Sequence, residues 1–490
     1  MKQKFKKIWT GFITRPEIVF VTLASVFGLT SVFVMPMHMT PDEPAHFAKA
    51  FRMSEGKVFP DVQKCSENGI CFAANYLPRQ IIEFNTRGRD SAFSNHTDFD
   101  IFSENFDREA VTSKVDFSDR ELEYVLSAES YFPIAHLPQA IGIAIGRVIY
   151  PSIAVMYFAG RIMNLAFFIA LMFFIIRYVK RAKWAYALIA MFPMIICHAA
   201  SFSADPIAAI SIFGLFAIFQ NLFIQQASIK RRQVIAIALI GLAAAFIRPT
   251  NLVLLFPLAF LPKRLFKPNR IKKIPFSVQK WLIAAGVVLL VLVIAALWTA
   301  LYPSAINLAP GWTSEGVDRM GQISWIISNP LGFIKAIFFT FIHYGGSGQF
   351  TVLRFIYESM GAFSWMYYML PGAIVTMLWI AMLITTMRRD PELKTEKSEA
   401  LSSILTYVIS VLAVAVTMYI IYTPIGHRVV CGLQDRYFTP FFIILIPVFF
   451  WLRKYVSVDI KKETTMGIIV FSASSIALLC YIVQTIIFFA

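Results

Sequence analysis

The sequence is short of the residues that keep a protein in water. Only 15% of its 490 residues are charged, against 58% hydrophobic, and the mean hydropathy is +0.65. That balance excludes an ordinary soluble globule. Acid is scarcer than base, with 29 Asp and Glu facing 45 Lys and Arg for a net charge of +16. In a soluble chain that excess would point to nucleic acid. Here the basic residues sit in short clusters between apolar runs, the pattern of membrane topology, so nucleic acid is set aside as a partner. Five cysteines are too few for a disulfide framework. Cys65 and Cys71 lie in a long polar loop and could pair in an oxidising space, or stand as two separate thiols. Cys197, Cys431 and Cys480 fall in or beside apolar runs, as small core residues do. Also missing are a nucleotide-binding signature, an HExxH or paired-Cys metal spacing, and a Ser-His-Asp order that would commit the chain to hydrolysis. No internal repeat of the transporter kind is visible.

What is present is a series of apolar runs, near 17–37, 153–176, 184–200, 206–225, 233–247, 250–262, 281–302, 365–387, 402–422, 438–452 and 467–489. They indicate an all-α polytopic membrane protein of about eleven transmembrane helices, a single integral membrane domain over 1–490. The first run follows Lys2, Lys4, Lys6, Lys7 and Arg15 and lacks a small-residue cleavage site, so it reads as an uncleaved anchor. With a cytoplasmic N-terminus, segments 1–16, 177–183, 226–232, 263–280, 388–397 and 453–462 become internal. These short loops carry more than half of the 45 Lys and Arg, as the positive-inside rule requires. Residues 133–150 are apolar enough to span, but counting them would turn the Arg177-Lys180-Arg181-Lys183 cluster outward. They are therefore laid on the outer surface as an interfacial helix anchored by Tyr131 and Tyr150. Two large external loops result: 38–152, with interfacial helices, and 303–364, with an apolar helix near 331–342.

This topology gathers the polar motifs on the outer side of the plasma membrane. The first is Thr40-Pro41-Asp42-Glu43-Pro44-Ala45-His46-Phe47, just past the first run. Two adjacent acids precede a proline that opens a helix, so one can cap the N-terminus. The other is a candidate general base at the membrane–water boundary, where partial burial raises a carboxylate pKa toward the useful range. His46 is a hydrogen-bond partner for a carboxylate or a catalytic group. Asp205, in Ser201-Phe202-Ser203-Ala204-Asp205-Pro206, either caps the fourth run or serves as a second catalytic acid. Arg248, beside Pro249, either snorkels to the interface or binds an anion. Within Gln434-Asp435-Arg436-Tyr437-Phe438, Arg436 either pairs silently with Asp435 or neutralises a phosphate with its guanidinium fork. Gln434 and Tyr437 flank it as candidate substrate contacts. Trp312, Trp325, Trp365, Tyr367 and Tyr368 read as interface-belt residues, and Gly345-Gly346-Ser347-Gly348 as a flexible turn. No residue is assigned as a metal ligand. A divalent metal could be held by Asp42, Glu43, His46 and Asp205 only if the fold brings them together. The largest internal segment, 263–280, is too small to bind a nucleotide sugar, so a sugar donor would have to come from the membrane itself.

The Thr-Pro-Asp42-Glu43-Pro-Ala-His46-Phe block resembles the opening of a family of bacterial membrane proteins of unknown function. That family is grouped with the GT-C superfamily of lipid-phosphate-dependent glycosyltransferases. The resemblance continues through Tyr131-Phe132-Pro133-Ile134-Ala135-His136-Leu137-Pro138, Gly160-Arg161-Ile162-Met163-Asn164, Pro193 with Ser201, Ser203 and Asp205, and Gln434-Asp435-Arg436-Tyr437-Phe438 with Pro440. It departs at Asp435, where the family usually has Gly. It implies a GT-C-like bundle, a catalytic acid in the first external loop, here Asp42 or Glu43, and often a second in the next external turn, here Asp205. It also implies a polyprenyl-phosphate-linked sugar donor used on the outer face with inversion. The acceptor would be a cell-surface glycopolymer, such as a teichoic acid or wall polysaccharide, or a glycolipid. Arg436 and Arg248 would face the leaving phosphate. Two other classes stay open: a transporter or flippase for a lipid-linked sugar, and a non-catalytic component of a cell-envelope assembly complex.

Overall fold

Backbone polar groups find no partner in lipid, so apolar runs close their hydrogen bonds internally as helices. The computed structural model describes residues 2–489 other than 66–70, 95–98, 102, 104–105, 125–127, 129–130, 267–275, 302–316, 343–358 and 390–394. Helices α1 (Lys2–Ile13) and α2 (Pro16–Val34) open the chain. A loop subdomain follows, with α3 (Glu43–Ser54), β1 (Val62–Cys65), β2 (Cys71–Pro78), α4 (Arg79–Ser94), α5 (Arg108–Thr112), β3 (Arg120–Tyr124) and α6 (Leu137–Ile149). The bundle resumes with α7 (Ile153–Tyr178), α8 (Lys183–Ala190), α9 (Pro193–Ala199), α10 (Asp205–Ile224) and α11 (Arg231–Ile247). A 3-10 helix over Pro249–Phe260 and α12 (Phe276–Leu301) come next. Then follow α13 (Arg319–Ser328), α14 (Pro330–Ile342), β4 (Ala362–Phe363), β5 (Tyr368–Met369), α15 (Gly372–Met387) and α16 (Lys397–Ile421). The 3-10 turns Asp435–Tyr437 and Thr439–Leu445 lead into α17 (Ile446–Leu452), and α18 (Glu463–Phe489) ends the described chain.

The fold is mostly helical but not all-α. Strands β1, β2 and β3 form an antiparallel sheet in that order, with Val62 opposite Ala74 and Ala74 opposite Tyr124. On β2, Leu77 is buried and Tyr76 exposed, the period-two alternation of a half-buried strand. So short a signal is lost in a sequence dominated by apolar runs. Cys65 and Cys71 face each other across the β1–β2 register, while their side chains lie outside the described residues.

Among the described residues, seven segments are long and apolar enough to cross a membrane: α2, α7, α10, Val278–Trp298 of α12, α16, Asp435–Leu452 and α18. The pair α13–α14, bent by 108°, would make an eighth if it is one span. The remaining expected spans fold as shorter pieces. Pro193 breaks α8 from α9, α11 has 17 residues, the 3-10 helix 12 and α15 16. These pieces nonetheless run between the same two ends of the bundle. Trp184 of α8 donates to Glu463 at 2.8 Å, whereas His198 of α9 stands 3.7 Å from Asp205. Arg248, after α11, pairs with Asp205, and Arg264, beyond the 3-10 helix, pairs with Glu396 at 2.5 Å. Tyr368, before α15, bonds Thr485 at 2.8 Å, and Arg388, after it, pairs with Glu463.

Helices α2 and α7 pack side by side, with Gly28 against Leu165 and the Arg161 side chain on the carbonyls that end α2. The first eight or so residues of α7 therefore project beyond α2, about 12 Å at 1.5 Å per residue. Helix α6 folds back antiparallel along this projection, Gly142 meeting Ala159 and Gly146 meeting Met156. A Cβ at Gly142 would lie 2.3 Å from the Ala159 carbonyl oxygen, so only glycine permits this approach. The opposite face of α6 exposes Leu137, Ile141, Ile145, Val148 and Ile149. The loop subdomain has its own core, in which Phe47, Phe51, Leu77, Ile81 and Phe84 pack onto Tyr157 and Phe202 of the bundle.

Candidate functional site

The turn into α3 separates two neighbouring acids. Asp42 has φ 64°, in the left-handed region that Asp tolerates better than most residues. It occupies the N-cap position, and its carbonyl accepts the Ala45 and His46 N–H groups at 3.1 Å, yet its carboxylate makes no capping bond. That carboxylate instead pairs with Arg436, which also donates to the Pro41 carbonyl at 3.1 Å. The Asp42 side chain is 27% exposed.

Glu43 turns the other way, with a side chain 0% exposed. Arg161 donates to it from Nε and Nη2, both at 2.8 Å. The Phe202 N–H adds a bond at 2.9 Å and the Thr40 N–H a longer one at 3.4 Å. Arg161 also donates to the carbonyls of Val32, Met35 and Pro36 at 2.9, 2.6 and 3.0 Å. The first two are among the carbonyls that the end of α2 leaves unpaired, while the Pro36 carbonyl, just past the helix, also accepts the Met39 N–H at 3.3 Å. One buried ion pair thus ties the end of α2, the start of α3, the middle of α7 and the turn before α10.

Asp205 opens α10, and it too makes no side-chain cap. It pairs with Arg248, and its other oxygen lies 3.7 Å from Arg436 Nε and 3.7 Å from His198 Nδ1. The result is an alternating row, Arg248–Asp205–Arg436–Asp42, drawn from four distant segments. The Tyr437 ring lies under both arginines, 4.1 Å from the Arg248 guanidinium carbon and 5.4 Å from that of Arg436. Beside the row, His46 Nδ1 sits 2.6 Å from His136 Nε2, with Tyr131 5.5 Å from the His46 ring. Burial pushes the His46 pKa down to about 4, against the opposing pull of Asp42. It pushes His136 well below its ordinary value too. Both rings are therefore neutral near pH 7. Burial also pushes the Tyr131 hydroxyl up to about 12.

Of the residues singled out in the sequence, Asp42, His46, Asp205, Arg248, Arg436 and Tyr437 come together here. Gln434 lies just before the Arg436 turn, its Oε1 buried without a hydrogen-bond partner among the described residues. Arg436, for which its neighbour Asp435 was one expected partner, reaches across the fold to Asp42. Among the described residues no group of three His, Cys, Asp or Glu side chains stands where it could hold a metal ion. Trp312 and the stretch 343–349 lie outside the described residues. The sequence reading missed Arg161 as the partner of Glu43, and Tyr131, His136 and His198 as walls of the cluster. A charge inside the apolar run 153–176 was the available signal for Arg161.

The sequence matches the family described as "Predicted membrane protein (DUF2142)" over residues 25–446. The chain belongs to that family. The matched span takes in the whole cluster, from Asp42 to Tyr437. No curated protein and no solved structure matches the chain. The chain is a multi-pass membrane protein.

The row balances two carboxylates against two guanidiniums at the starts of two helices, α3 and α10. Helix N-termini carry positive partial charge, and neither acid here is used to cap one. An arriving phosphate would meet two arginine forks and two helix ends together.

Proposed function

We propose that this protein is a GT-C-type glycosyltransferase that moves a sugar from a polyprenyl-phosphate carrier to an acceptor hydroxyl. The acceptor is a cell-surface glycopolymer or glycolipid on the outer face of the membrane. The observation that carries the reading is the Arg248–Asp205–Arg436–Asp42 row, with Asp42 as its most exposed carboxylate. A donor phosphate competes with Asp42 for Arg436, so donor binding releases the Asp42 carboxylate as it fixes the leaving group. The freed carboxylate takes the proton of the acceptor hydroxyl as that oxygen attacks the anomeric carbon. The bond from that carbon to the phosphate oxygen breaks, its electrons leave with the lipid phosphate, and the sugar inverts. A general base of this kind contributes roughly 10²–10⁴-fold in rate, and oriented guanidiniums add electrostatic stabilisation of the leaving charge. Asp205 holds both arginines in line. Glu43, fully buried on Arg161, positions Asp42 and does no proton transfer.

The reading includes eleven crossings, the four shorter pieces being spans as well, since each links the two ends that the longer helices link. The basic loops then face the cytoplasm and the Asp42 end faces outward.

The test is Asp42→Asn, chosen because Asn also tolerates the left-handed backbone at this position. With the variant at normal membrane levels, mass spectrometry of surface glycans should show loss of one sugar substituent. An unchanged profile, in a strain where deletion of the protein does change it, would overturn the reading in favour of a transporter or a non-catalytic component.

A further inference from the structure

The end of the bundle opposite Asp42 holds a second polar assembly that the proposed chemistry leaves unused. A cavity of about 400 Å³ opens between the starts of α2, α8 and α18 and the ends of α15 and α17. Among the described residues, six cations line it, Arg15, Lys180, Arg181, Lys183, Arg388 and Arg453, against two acids, Glu17 and Glu463. Three helices begin at this space, so their unpaired first-turn N–H groups and positive dipole ends add to the cationic lining.

Among the described residues, neutralisation within the cavity is incomplete. Glu463 is shared by Arg388 and the Trp184 indole N–H. Arg181 has a fully buried side chain and pairs with Glu399, with a further bond to the Gln220 carbonyl at 3.3 Å. Its Nε and Nη1 have no hydrogen-bond partner among the described residues. Buried guanidinium donors are rarely left unmet, and an oxyanion with several acceptor oxygens is the group that meets them best.

We propose that this cavity binds a phosphate group, and that the group is the headgroup of an anionic phospholipid. Helix α2 has 19 residues, so it sets the cavity about 28 Å from the Asp42 end, close to the thickness of a bilayer's hydrocarbon core. A cavity at that distance sits at headgroup depth. Helix α1 lies beside it, with Ile8 and Trp9 exposed, Trp9 packed on Phe471 of α18, and lysines at positions 2, 4, 6 and 7. A basic amphipathic helix of this kind favours an anionic lipid surface.

The test titrates the purified full-length protein in detergent with phosphatidylglycerol, with phosphatidylcholine and, separately, with inorganic phosphate, following the unfolding temperature. A saturable rise of a few degrees with phosphatidylglycerol, absent with phosphatidylcholine, supports the proposal. A rise with inorganic phosphate alone keeps the phosphate site and overturns its assignment to lipid. The half-saturating concentration should increase at least tenfold in Arg15→Gln/Lys180→Gln, whose changed side chains are exposed. Lys183→Gln is the second variant should that one not fold. No saturable response to either anion, or an unchanged midpoint in the folded variant, overturns the proposal.

Discussion

Glu43→Ala should damage the fold far more than Asp42→Asn does, although the two residues are adjacent. Glu43 and Arg161 are both 0% exposed, and the carboxylate accepts two bonds from the guanidinium at 2.8 Å. Removing one member of a buried pair typically costs about 3–5 kcal/mol, because the other charge stays buried. Arg161 would keep its three carbonyl acceptors at the negative end of α2, which places the cost near the lower bound, about 3 kcal/mol. That corresponds to a roughly hundredfold fall in the folded-to-unfolded ratio. The Phe202 N–H loses its acceptor as well, so the turn leading to Asp205 loosens. Asp42→Asn keeps an acceptor for Arg436, which retains Asp205 nearby, so its cost should be less than half as large. The assay is unfolding in detergent followed by circular dichroism, beside the yield of monodisperse protein. Replacing both Glu43 and Arg161 by Met should recover part of the loss, since an apolar pair leaves no stranded charge, but not all of it, because the α2 carbonyls lose their donor. Unfolding of Glu43→Ala at the wild-type temperature would refute this reasoning, as would an equal loss in Asp42→Asn.

Three further outcomes follow from the geometry. Arg436→Lys keeps the charge but loses the fork that reaches Asp42 and the Pro41 carbonyl together, so glycan transfer should fall at least tenfold while expression stays near normal; surface-glycan mass spectrometry reads it. Stability should fall as pH drops through the window from about 6.5 to 4. His46 takes a proton near 6.5 when unfolded but only near 4 when folded, so the unfolded state binds more protons across that window, and stability present above it is lost below it. The gap between 6.5 and 4 is worth roughly 3 kcal/mol below pH 4; unfolding temperatures measured from pH 7.5 to 4.5 should show the decline, and His46→Gln should make it shallower, the share of the buried His136 remaining. Gly142→Ala should destabilise by about 1–3 kcal/mol despite alanine's better helix propensity, because the new methyl meets the Ala159 backbone rather than a side chain able to move aside; thermal unfolding tests this.

The bundle was legible because its signal is long and repeated. A run such as 153–176 has no fold other than a helix in lipid, and α7 covers it. Length misleads where proline or a tight helix intervenes. The run 184–200 is two helices meeting at Pro193, and 250–262 winds as 3-10, which rises about 2.0 Å per residue and so covers in 12 residues what an α-helix covers in about 16. The small sheet was illegible for the opposite reason. Its strands are four, eight and five residues long and lie in a loop whose core is completed by Tyr157 and Phe202, from helices far along the chain.

The cluster itself was half legible. Asp42, Asp205, Arg248 and Arg436 each stand at a helix end beside a polar turn, and topology puts all those turns at one end of the bundle. Nothing local separates Asp42 from Glu43, since either can cap a helix that begins with proline. Their difference comes from one positive φ at Asp42, which turns neighbouring carboxylates to opposite sides, and from Arg161, 118 positions away from Glu43. Once Arg161 claims Glu43 and holds the carbonyls of α2, the left-handed turn is fixed and Asp42 is left facing Arg436. The buried pair thus does for the half-buried Asp42 what a helix cap would otherwise do, holding the start of α3 in place. That frees the Asp42 carboxylate from capping and leaves it to Arg436, the exchange with a donor phosphate that the proposed function requires being open only to a carboxylate so freed.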